Sequence, residues 1–246
     1  MENPISAPHF EVRIFADRQQ MGENAAKTAG EKLRTLLLVQ TEVNVIFAAA
    51  PSQNEFLEAL THEAVDWKRV NAFHMDEYIG LPADAPQAFG NFLRSRIFDK
   101  LPFQSVHYLR GLEYGDLLKQ YPVDIVFMGI GENGHLAFND PPVANFNDPQ
   151  MVKVVQLDHI CRQQQVNDGC FNSIKEVPTH ALTLTIPALL KAKHIICVVP
   201  AKAKAQAVFN TLNEKIGTAY PSTILRKHID VVLFLDKDSS SLLKDL

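Results

Sequence analysis

Short apolar segments alternate along the chain with stretches in which apolar residues recur at helical spacing. The apolar, β-branched segments predict strands, and the stretches between them predict helices. The predicted strands are residues 11–16, 43–50, 70–75, 123–128, 152–157, 181–186, 194–199 and 229–235. The predicted helices are residues 18–38, 53–62, 89–100, 112–120, 159–167 and 201–213, with Asp17, Ser52 and Asp158 as N-caps.

This alternation predicts an α/β protein with a mostly parallel, open sheet covered by helices on both faces, which makes three layers. No internal repeat, low-complexity tract or Ser/Gly linker divides the chain, so residues 1–246 are expected to form one domain. In open sheets of this kind, ligands bind beyond the carboxyl ends of the strands. The residues that directly follow each strand are therefore the candidates for chemistry.

Composition removes several classes of function. The formal net charge of −4 and the pI near 6.1 provide no field that would attract nucleic acid or an anionic membrane. The chain begins without a signal-peptide pattern, and its apolar runs are too short to cross a bilayer. Cys161, Cys170 and Cys197 suit free thiols in a reducing compartment, so we expect a cytoplasmic protein.

Two adjacent carboxylates follow the predicted strand at residues 70–75. Asp76 and Glu77 are succeeded by Tyr78 and by the turn formers Gly80 and Pro82. A carboxylate can abstract a proton next to a carbonyl when desolvation keeps its pKa useful, and a cleft at a sheet edge provides that environment. The alternative is that the pair caps a helix or lies in a solvated turn.

The densest motif follows the predicted strand at residues 123–128. Its glycines match the dinucleotide fingerprint G-x-G-x-x-G, but Pro141 and Pro142 leave little room for the helix that this fingerprint requires. We interpret the glycines as a tight turn close to a ligand, which presents His135 and Asp140. These two side chains can form a proton-shuttling dyad, and a purely structural loop histidine stays the alternative.

A third signal lies where the predicted strand at residues 194–199 runs into a helix. Lys202 falls in the first helical turn, where a cation is unfavourable beside the helix dipole unless an anion is bound. Lys202 therefore indicates a phosphate site, and Lys204 is expected on the solvated helix face. The histidines and cysteines show no metal-ligand spacing, so neither a metal nor an organic cofactor is expected.

Taken together, these segments resemble the glucosamine-6-phosphate deaminase/isomerase family. Residues 75–82 read Met-Asp-Glu-Tyr-Ile-Gly-Leu-Pro, and residues 129–141 read Gly-x-Gly-x-Asn-Gly-His-x-Ala-Phe-Asn-Asp-Pro. The resemblance covers almost the whole chain and implies a modified Rossmann-like fold. It also implies conversion of an amino-sugar 6-phosphate into a keto-hexose 6-phosphate with release of ammonia. The related 6-phosphogluconolactonases carry Asp-Glu-Arg where this chain has Asp-Glu-Tyr.

The resemblance implies roles for individual residues. Asp76 moves the proton between C2 and C1, His135 and Asp140 assist ring opening, and Lys202 contacts the sugar phosphate. Asn133 stands where many members have Asp, and it is grouped with the catalytic residues as a hydrogen-bonding side chain. The other residues expected to bind substrate are Ser52, Glu77, Gly131, Gly134 and Arg162.

The expected phosphate site departs from the family pattern. Residues 48–54 read Ala-Ala-Ala-Pro-Ser-Gln-Asn in place of a Thr-Gly-Gly-Thr loop, which keeps Ser52 as a hydroxyl donor. No arginine occupies the family's phosphate-binding position, so Arg162 is expected to supply a guanidinium fork instead. Asp140 replaces the more usual Glu. The family's allosteric positions align with Val143, Gln150 and Val152, so we expect no activation by N-acetylglucosamine-6-phosphate.

Two alternative functions stay open. A sugar-phosphate lactonase would use His135 as a base toward water and would release no ammonia. A sugar-phosphate sensor would keep the pocket without turnover, because a fold does not by itself guarantee activity. The expected partner is a phosphorylated amino sugar, either gluco or galacto, and a homo-oligomer is compatible with the sequence.

Overall fold

The computed structural model describes residues 9–243, which form two β-sheets flanked by helices. The strands are β1 (His9–Phe15), β2 (Val43–Phe47), β3 (Val70–His74), β4 (Asp76–Tyr78), β5 (Ser105–His107), β6 (Ile125–Met128), β7 (Val152–Gln156), β8 (His180–Leu184), β9 (His194–Val199) and β10 (Asp230–Asp236). The larger sheet has the order β1-β10-β9-β6-β2-β3-β5, and all of its pairings are parallel. The predicted α/β fold with a mostly parallel sheet is therefore confirmed.

The α-helices lie where the apolar periodicity predicts them, with the short α6 as an addition. They are α1 (Arg18–Leu37), α2 (Asn54–Leu60), α3 (Phe89–Leu93), α4 (Tyr114–Gln120), α5 (His159–Asn167), α6 (Ile186–Leu190) and α7 (Ala205–Asn213). A π-helical turn, Arg94–Phe98, continues α3. Single 3-10 turns precede α2 at Pro51–Gln53 and α7 at Lys202–Lys204. No helix within residues 9–243 is long and apolar enough to cross a membrane.

The predicted N-caps have mixed outcomes. Asp17 accepts a hydrogen bond from the backbone nitrogen of Gln20 at the start of α1, and Asp158 accepts one from His159 at the start of α5. The prediction for Ser52 is wrong, because Ser52 lies inside the 3-10 turn and neither that turn nor α2 has a side-chain cap. Ser52 is thereby free for another role.

Alternate residues of the central strands pack into two different cores. Phe47 of β2, Phe127 of β6 and Val198 of β9 belong to one buried cluster. Their chain neighbours Ile46, Val126 and Cys197 belong to the other. Successive side chains of a strand point to opposite faces, so the larger sheet is buried on both sides. This accounts for the nearly continuous apolar runs of these strands and for the three layers.

The smaller sheet is a feature that the sequence pattern did not predict. It has the order β4-β8-β7 and is antiparallel, so the predicted strands near residues 152–157 and 181–186 lie outside the parallel sheet. Its third strand, Asp76–Tyr78, is only three residues long and mixes polar with aromatic side chains. A strand that short shows no periodicity, although it places Asp76 at the boundary of the two sheets.

Four strands of the larger sheet end side by side. Phe47 pairs with His74 on one side and with Phe127 on the other, and Met128 pairs with Cys197. The segments that follow β2, β3, β6 and β9 therefore emerge at one edge of the sheet, as parallel strands require. This edge carries the candidate site.

Candidate active site

A pocket opens at this edge between the segments that follow β2, β3, β6 and β9 and one face of α5. Its polar lining residues are Ser52, Gln53, Asp76, His135, Gln164, Gln165 and Lys204. Aromatic and aliphatic side chains form the rest of the wall, among them Met75, Phe89, Ile130 and Phe138. A concave site with few convergent polar groups is typical of small-molecule binding.

Asp76 is a buried carboxyl group without a neutralising partner. Its side chain lines the pocket, the residue is 6% exposed, and its Oδ1 atom has no hydrogen-bond partner within residues 9–243. Burial, reinforced by the charge of Glu77, raises the pKa of Asp76 well above its usual value. The prediction that a desolvated carboxylate faces the site therefore agrees with the geometry, and a raised pKa suits a general base.

His135, Asp140 and Asn133 form a closed hydrogen-bonded group. His135 Nδ1 lies 2.9 Å from Asp140 Oδ1 and 2.8 Å from Asn133 Oδ1. Asn133 Nδ2 donates to Asp140 Oδ1 at 2.9 Å, and Asn133 Oδ1 also accepts from the backbone nitrogen of His135 at 3.0 Å. Because both neighbours of Nδ1 are acceptors, Nδ1 carries the proton, and Nε2 is the ring nitrogen left for the pocket.

The charge on Asp140 is stabilised despite its burial. Burial alone would raise the pKa of this carboxyl, but the charge of His135 and the hydrogen bonds from His135 and Asn133 outweigh it and lower the pKa. Asp140 is therefore an ionised group that orients the imidazole and stabilises its protonated form. The shorter Asp side chain reaches the histidine without difficulty.

Two glycines shape the loop that carries this dyad. A Cβ atom at Gly131 would overlap the His135 ring, so only glycine leaves room for the imidazole. Gly134 has φ near +84°, a backbone conformation that L-residues rarely adopt. Gly131 lines the pocket. Gly134 forms the turn, and its backbone carbonyl accepts a hydrogen bond from the backbone nitrogen of Ser222.

Glu77, which the sequence predicts as a substrate-binding residue, has its carboxylate engaged by the protein backbone. Its carboxylate accepts hydrogen bonds from the backbone nitrogens of Tyr78, Phe89 and Gly90 at 2.9, 3.0 and 2.8 Å. Burial raises the pKa of Glu77, and these three bonds oppose the shift. Glu77 thus fastens the start of α3, and with it the pocket-lining Phe89, to the strand that carries Asp76.

The two lysines before α7 have the opposite exposure to the one that the sequence predicts. Lys202 is exposed, whereas Lys204 is 5% exposed and is the only lysine or arginine among the pocket-lining residues of the described chain. Ala201, with φ near +79°, and the 3-10 turn delay the α-helix until Ala205. Burial lowers the pKa of Lys204, and nearby carboxylates partly oppose this.

Arg162, predicted to supply a phosphate-binding fork, lies outside the pocket wall. Its Nη2 atom donates to the backbone carbonyls of Ile174 at 2.6 Å and Val177 at 2.8 Å, and Arg162 is not among the residues that line the pocket. This arginine holds the segment after α5. Ser52, in contrast, does line the pocket, and its Oγ atom accepts a hydrogen bond from Gln53 Nε2 at 3.2 Å.

One group of potential metal ligands is present in the described part of the chain. Donor atoms of His135, Asp140 and Cys161 lie within 4.8 Å of one another. The His135 Nδ1 proton already occupies the space between the first two donors. Burial raises the pKa of the Cys161 thiol, which opposes the thiolate that a metal requires. The geometry therefore fits a proton-transfer dyad better than a metal centre.

One pocket contains a desolvated carboxylate, a buried lysine and the histidine of a histidine–aspartate dyad. This combination defines an enzyme that performs acid/base chemistry on small anionic substrates. The family described as glucosamine-6-phosphate isomerases/6-phosphogluconolactonase matches residues 16–233. A glucosamine-6-phosphate deaminase of Exiguobacterium sp. is 34% identical over 188 residues, which are 73% of this chain and 72% of that protein. The protein belongs to the family of glucosamine-6-phosphate isomerases/6-phosphogluconolactonase.

Other relatives agree with the assignment. A glucosamine-6-phosphate deaminase of Bacillus thuringiensis is 35% identical over 187 residues, which are 72% of this chain and 70% of that protein. The solved structure of a monomeric glucosamine-6-phosphate deaminase superposes with a TM-score of 0.84 at 25% identity, over 94% of this chain and 99% of that one. A 6-phosphogluconolactonase from Thermotoga maritima shares the fold, with a TM-score of 0.76 at 18% identity over 93% and 100% of the two chains.

Proposed function

We propose that this protein converts glucosamine-6-phosphate, or its galacto epimer, into a keto-hexose 6-phosphate and ammonia. The observation that carries the proposal is the unpartnered, buried carboxyl of Asp76 in the same pocket as the oriented His135. The relatives at 34% and 35% identity, which are named glucosamine-6-phosphate deaminases, support the choice of substrate.

Ring opening is the task of His135. With the proton on Nδ1 held by Asp140 and Asn133, the Nε2 lone pair can take the proton of the anomeric hydroxyl and return a proton to the ring oxygen. Asp140 stabilises the imidazolium that forms between the two transfers, and it keeps the imidazole in one tautomer. The product of this step is the open-chain amino aldose.

Isomerisation and deamination follow at Asp76. Its carboxylate removes the proton from C2 of the open-chain aldehyde, the electron pair of that C–H bond forms the C1–C2 double bond, and the carbonyl oxygen takes a proton from the substrate's own ammonium group to give an enol-amine. The same carboxyl returns the proton to C1, which leaves a protonated imine at C2. Addition of water to this imine expels ammonia and completes the ketose. The raised pKa of Asp76 matches a group that must both accept and return a proton.

Lys204 is proposed to bind the sugar phosphate in the place assigned to Lys202 from the sequence. It is buried, it lines the pocket, and it follows a strained turn at Ala201 whose backbone nitrogen donates to Asp236 at 2.9 Å. A phosphate beside it would compensate the burial of its charge, which lowers the pKa of the free lysine. Ser52 is positioned to add a hydroxyl donor.

The test compares four substrates with the purified protein. Ammonia release is measured from glucosamine-6-phosphate, galactosamine-6-phosphate and unphosphorylated glucosamine, and acid release is measured from 6-phosphogluconolactone. We expect ammonia from one phosphorylated epimer and little from glucosamine. Lactone hydrolysis without ammonia release would replace the proposal with the lactonase. Binding of both amino-sugar phosphates without turnover of any substrate would establish the sensor.

A further inference from the structure

Three buried glutamines line the pocket and have no part in the chemistry described above, and two of them, Gln53 and Gln165, differ from the third in their free hydrogen-bonding capacity. Gln53 ends the 3-10 turn after β2 and is 1% exposed, and Gln165 lies on α5 and is 5% exposed. Both contribute to the pocket wall. A primary amide offers two donors and an acceptor, so each side chain brings hydrogen-bonding capacity to the site.

The amide of Gln53 has a defined orientation. Its Nε2 atom donates to the backbone carbonyl of Val198 at 3.1 Å and to Ser52 Oγ at 3.2 Å. The reverse orientation would set the amide oxygen against the Val198 carbonyl, which is repulsive. Oε1 is therefore the free end, and it has no hydrogen-bond partner among residues 9–243. A buried acceptor of this kind is available to a donor from a bound molecule.

Three consecutive glutamines on α5 differ in how they are used. Gln163 is bonded to Asn167 on the outer surface of the helix. Gln164 uses both ends of its amide, since Oε1 accepts from the backbone nitrogen of Glu132 at 2.9 Å and Nε2 donates to Asp168 at 3.3 Å. The side-chain amide of Gln165 makes no hydrogen bond to any of residues 9–243. Gln165 is thus the one whose amide stays available to a ligand.

The chemistry of these groups favours sugar hydroxyls over the phosphate. A phosphate oxygen carries only lone pairs and would be repelled by the free Oε1 of Gln53, whereas a hydroxyl can donate to it. Gln165 is neutral and can both donate and accept, which also matches a hydroxyl group. The charged partner for phosphate is already present in Lys204.

We propose that Gln53 and Gln165 bind hydroxyl groups of the sugar and determine which amino-sugar phosphate is accepted. This inference rests on the proposed deamination. It adds two specificity-determining residues, with Gln53 Oε1 as an acceptor and the Gln165 amide as a mixed donor and acceptor. A site with buried amides rejects a sugar that lacks the matching hydroxyl, because the amide is then left unpaired.

The experiment combines variants with deoxy sugars. Gln53→Met and Gln165→Met keep side-chain length and remove the amide, and Gln163→Met is the matched control on the outer surface of α5. kcat/KM and Kd are measured with the preferred amino-sugar 6-phosphate and with its 3-deoxy and 4-deoxy analogues. We expect kcat/KM of each pocket variant with the parent sugar to fall by about 5- to 150-fold, which is the range for leaving a buried polar group unpaired. The control should stay within about twofold.

The decisive result is non-additivity. With the wild-type protein, removing the bound hydroxyl from the sugar should lower kcat/KM about as much as the glutamine substitution lowers it with the parent sugar. Combining the deoxy sugar with the variant should lower kcat/KM little further. Fully additive losses would overturn the proposal. If a variant does not fold, the wild-type protein alone decides, because unchanged binding of both deoxy sugars would also overturn it.

Failure of the proposed function has a separate signature. Absence of ammonia release from the wild-type protein refutes deamination, while calorimetric binding of the amino-sugar phosphates still tests the glutamines by the same comparison of Kd values. A wild-type protein that neither binds nor converts these sugars would refute both proposals. Ammonia release with glutamine variants that resemble the control would refute only the specificity role.

Discussion

The two sides of the pocket differ in how far their polar atoms are already bonded. In the dyad loop, residues 129–140, the polar atoms bond to one another: His135 Nδ1, the Asn133 amide and Asp140 Oδ1 are joined by hydrogen bonds. The open wall, defined as Ser52, Gln53, Gln165 and Lys204, contains groups with free hydrogen-bonding capacity, of which Gln53 Oε1 is the clearest.

This difference separates chemistry from binding. A histidine that moves protons must be held in one tautomer and one orientation before the substrate arrives, so the Nδ1 partners of His135 are in the protein. A group that binds substrate must be left without a protein partner, so that the substrate supplies it. Changes in the dyad loop should therefore lower kcat, and changes in the open wall should raise KM.

The largest effect is expected from Asp140→Asn. The amide cannot stabilise the imidazolium and no longer fixes the Nδ1 proton, so kcat should fall by about 10²- to 10⁴-fold, the range for general acid–base catalysis. KM should change little, because Asp140 does not line the pocket. Steady-state kinetics on the amino-sugar phosphate measure both. A variant whose loss lies in KM would contradict the division of the pocket.

Gly131→Ala should be nearly as damaging. The added methyl group would overlap the His135 ring and force the imidazole from its position. A displacement of about 1 Å in a catalytic group costs on the order of 10²-fold in rate. Gly217→Ala is the matched control, since the nearest atom to its added Cβ is 3.8 Å away. Equal activity of the two variants would show that His135 has no fixed position.

The two lysines before α7 should differ in their effect on KM. Lys204→Met is expected to raise KM by about 10- to 10²-fold, because a hydrogen bond to a charged group is lost. Lys202→Met removes the same charge from an exposed position and should leave KM within about twofold. The kinetic comparison uses the phosphorylated substrate. A larger effect at Lys202 would restore the interpretation drawn from the sequence.

A smaller effect concerns stability. The pKa of Asp76 is raised by burial, so ionising this carboxyl destabilises the fold once the pH exceeds its unfolded pKa of about 4. Asp76→Asn removes this cost and should raise the free energy of unfolding at neutral pH, by about 1.4 kcal/mol for each unit of pKa elevation. The gain should disappear below about pH 4. Urea unfolding at both pH values measures it, with Asp116→Asn, whose side chain is 76% exposed, as control.

A destabilised or unchanged Asp76→Asn protein at neutral pH would contradict this reading of the buried carboxyl. A gain that persists in acid would assign the effect to packing rather than to charge.

The fold was predictable where local pattern and burial coincide. Strands such as β6 and β9, which are covered on both faces, are nearly continuous apolar runs, so their sequence reports their position. β4 and β5 were not predicted, because each has three residues and mixed polarity. The antiparallel pairing of β4 with β8 depends on contacts distant in sequence, which periodicity does not report.

The candidate site also divides into residues that a local sequence pattern indicates and residues that only tertiary contacts place. Asp76 was selected because it comes just after β3, and His135 and Asp140 were selected because they belong to the dense motif after β6. Lys204 was missed because the 3-10 turn changes which lysine faces the pocket, and the sequence Lys-Ala-Lys gives no sign of that turn.

Arg162 and the pocket glutamines were beyond a sequence argument for a related reason. The guanidinium of Arg162 bonds to carbonyls at positions 174 and 177, a tertiary contact. Gln53 and Gln165 stand out through their burial in the pocket wall, and Gln53 also through the unpaired Oε1 atom, neither of which the sequence reports.

The central claim is that Asp76 transfers the proton in a deamination, and ammonia release tests it most directly. Wild-type protein and Asp76→Asn are compared at saturating glucosamine-6-phosphate and galactosamine-6-phosphate. The account predicts ammonia from the wild-type protein with one of the two sugars, and a rate at least about 10²-fold lower from the variant, which cannot act as a base. Ammonia release that the variant retains would contradict it.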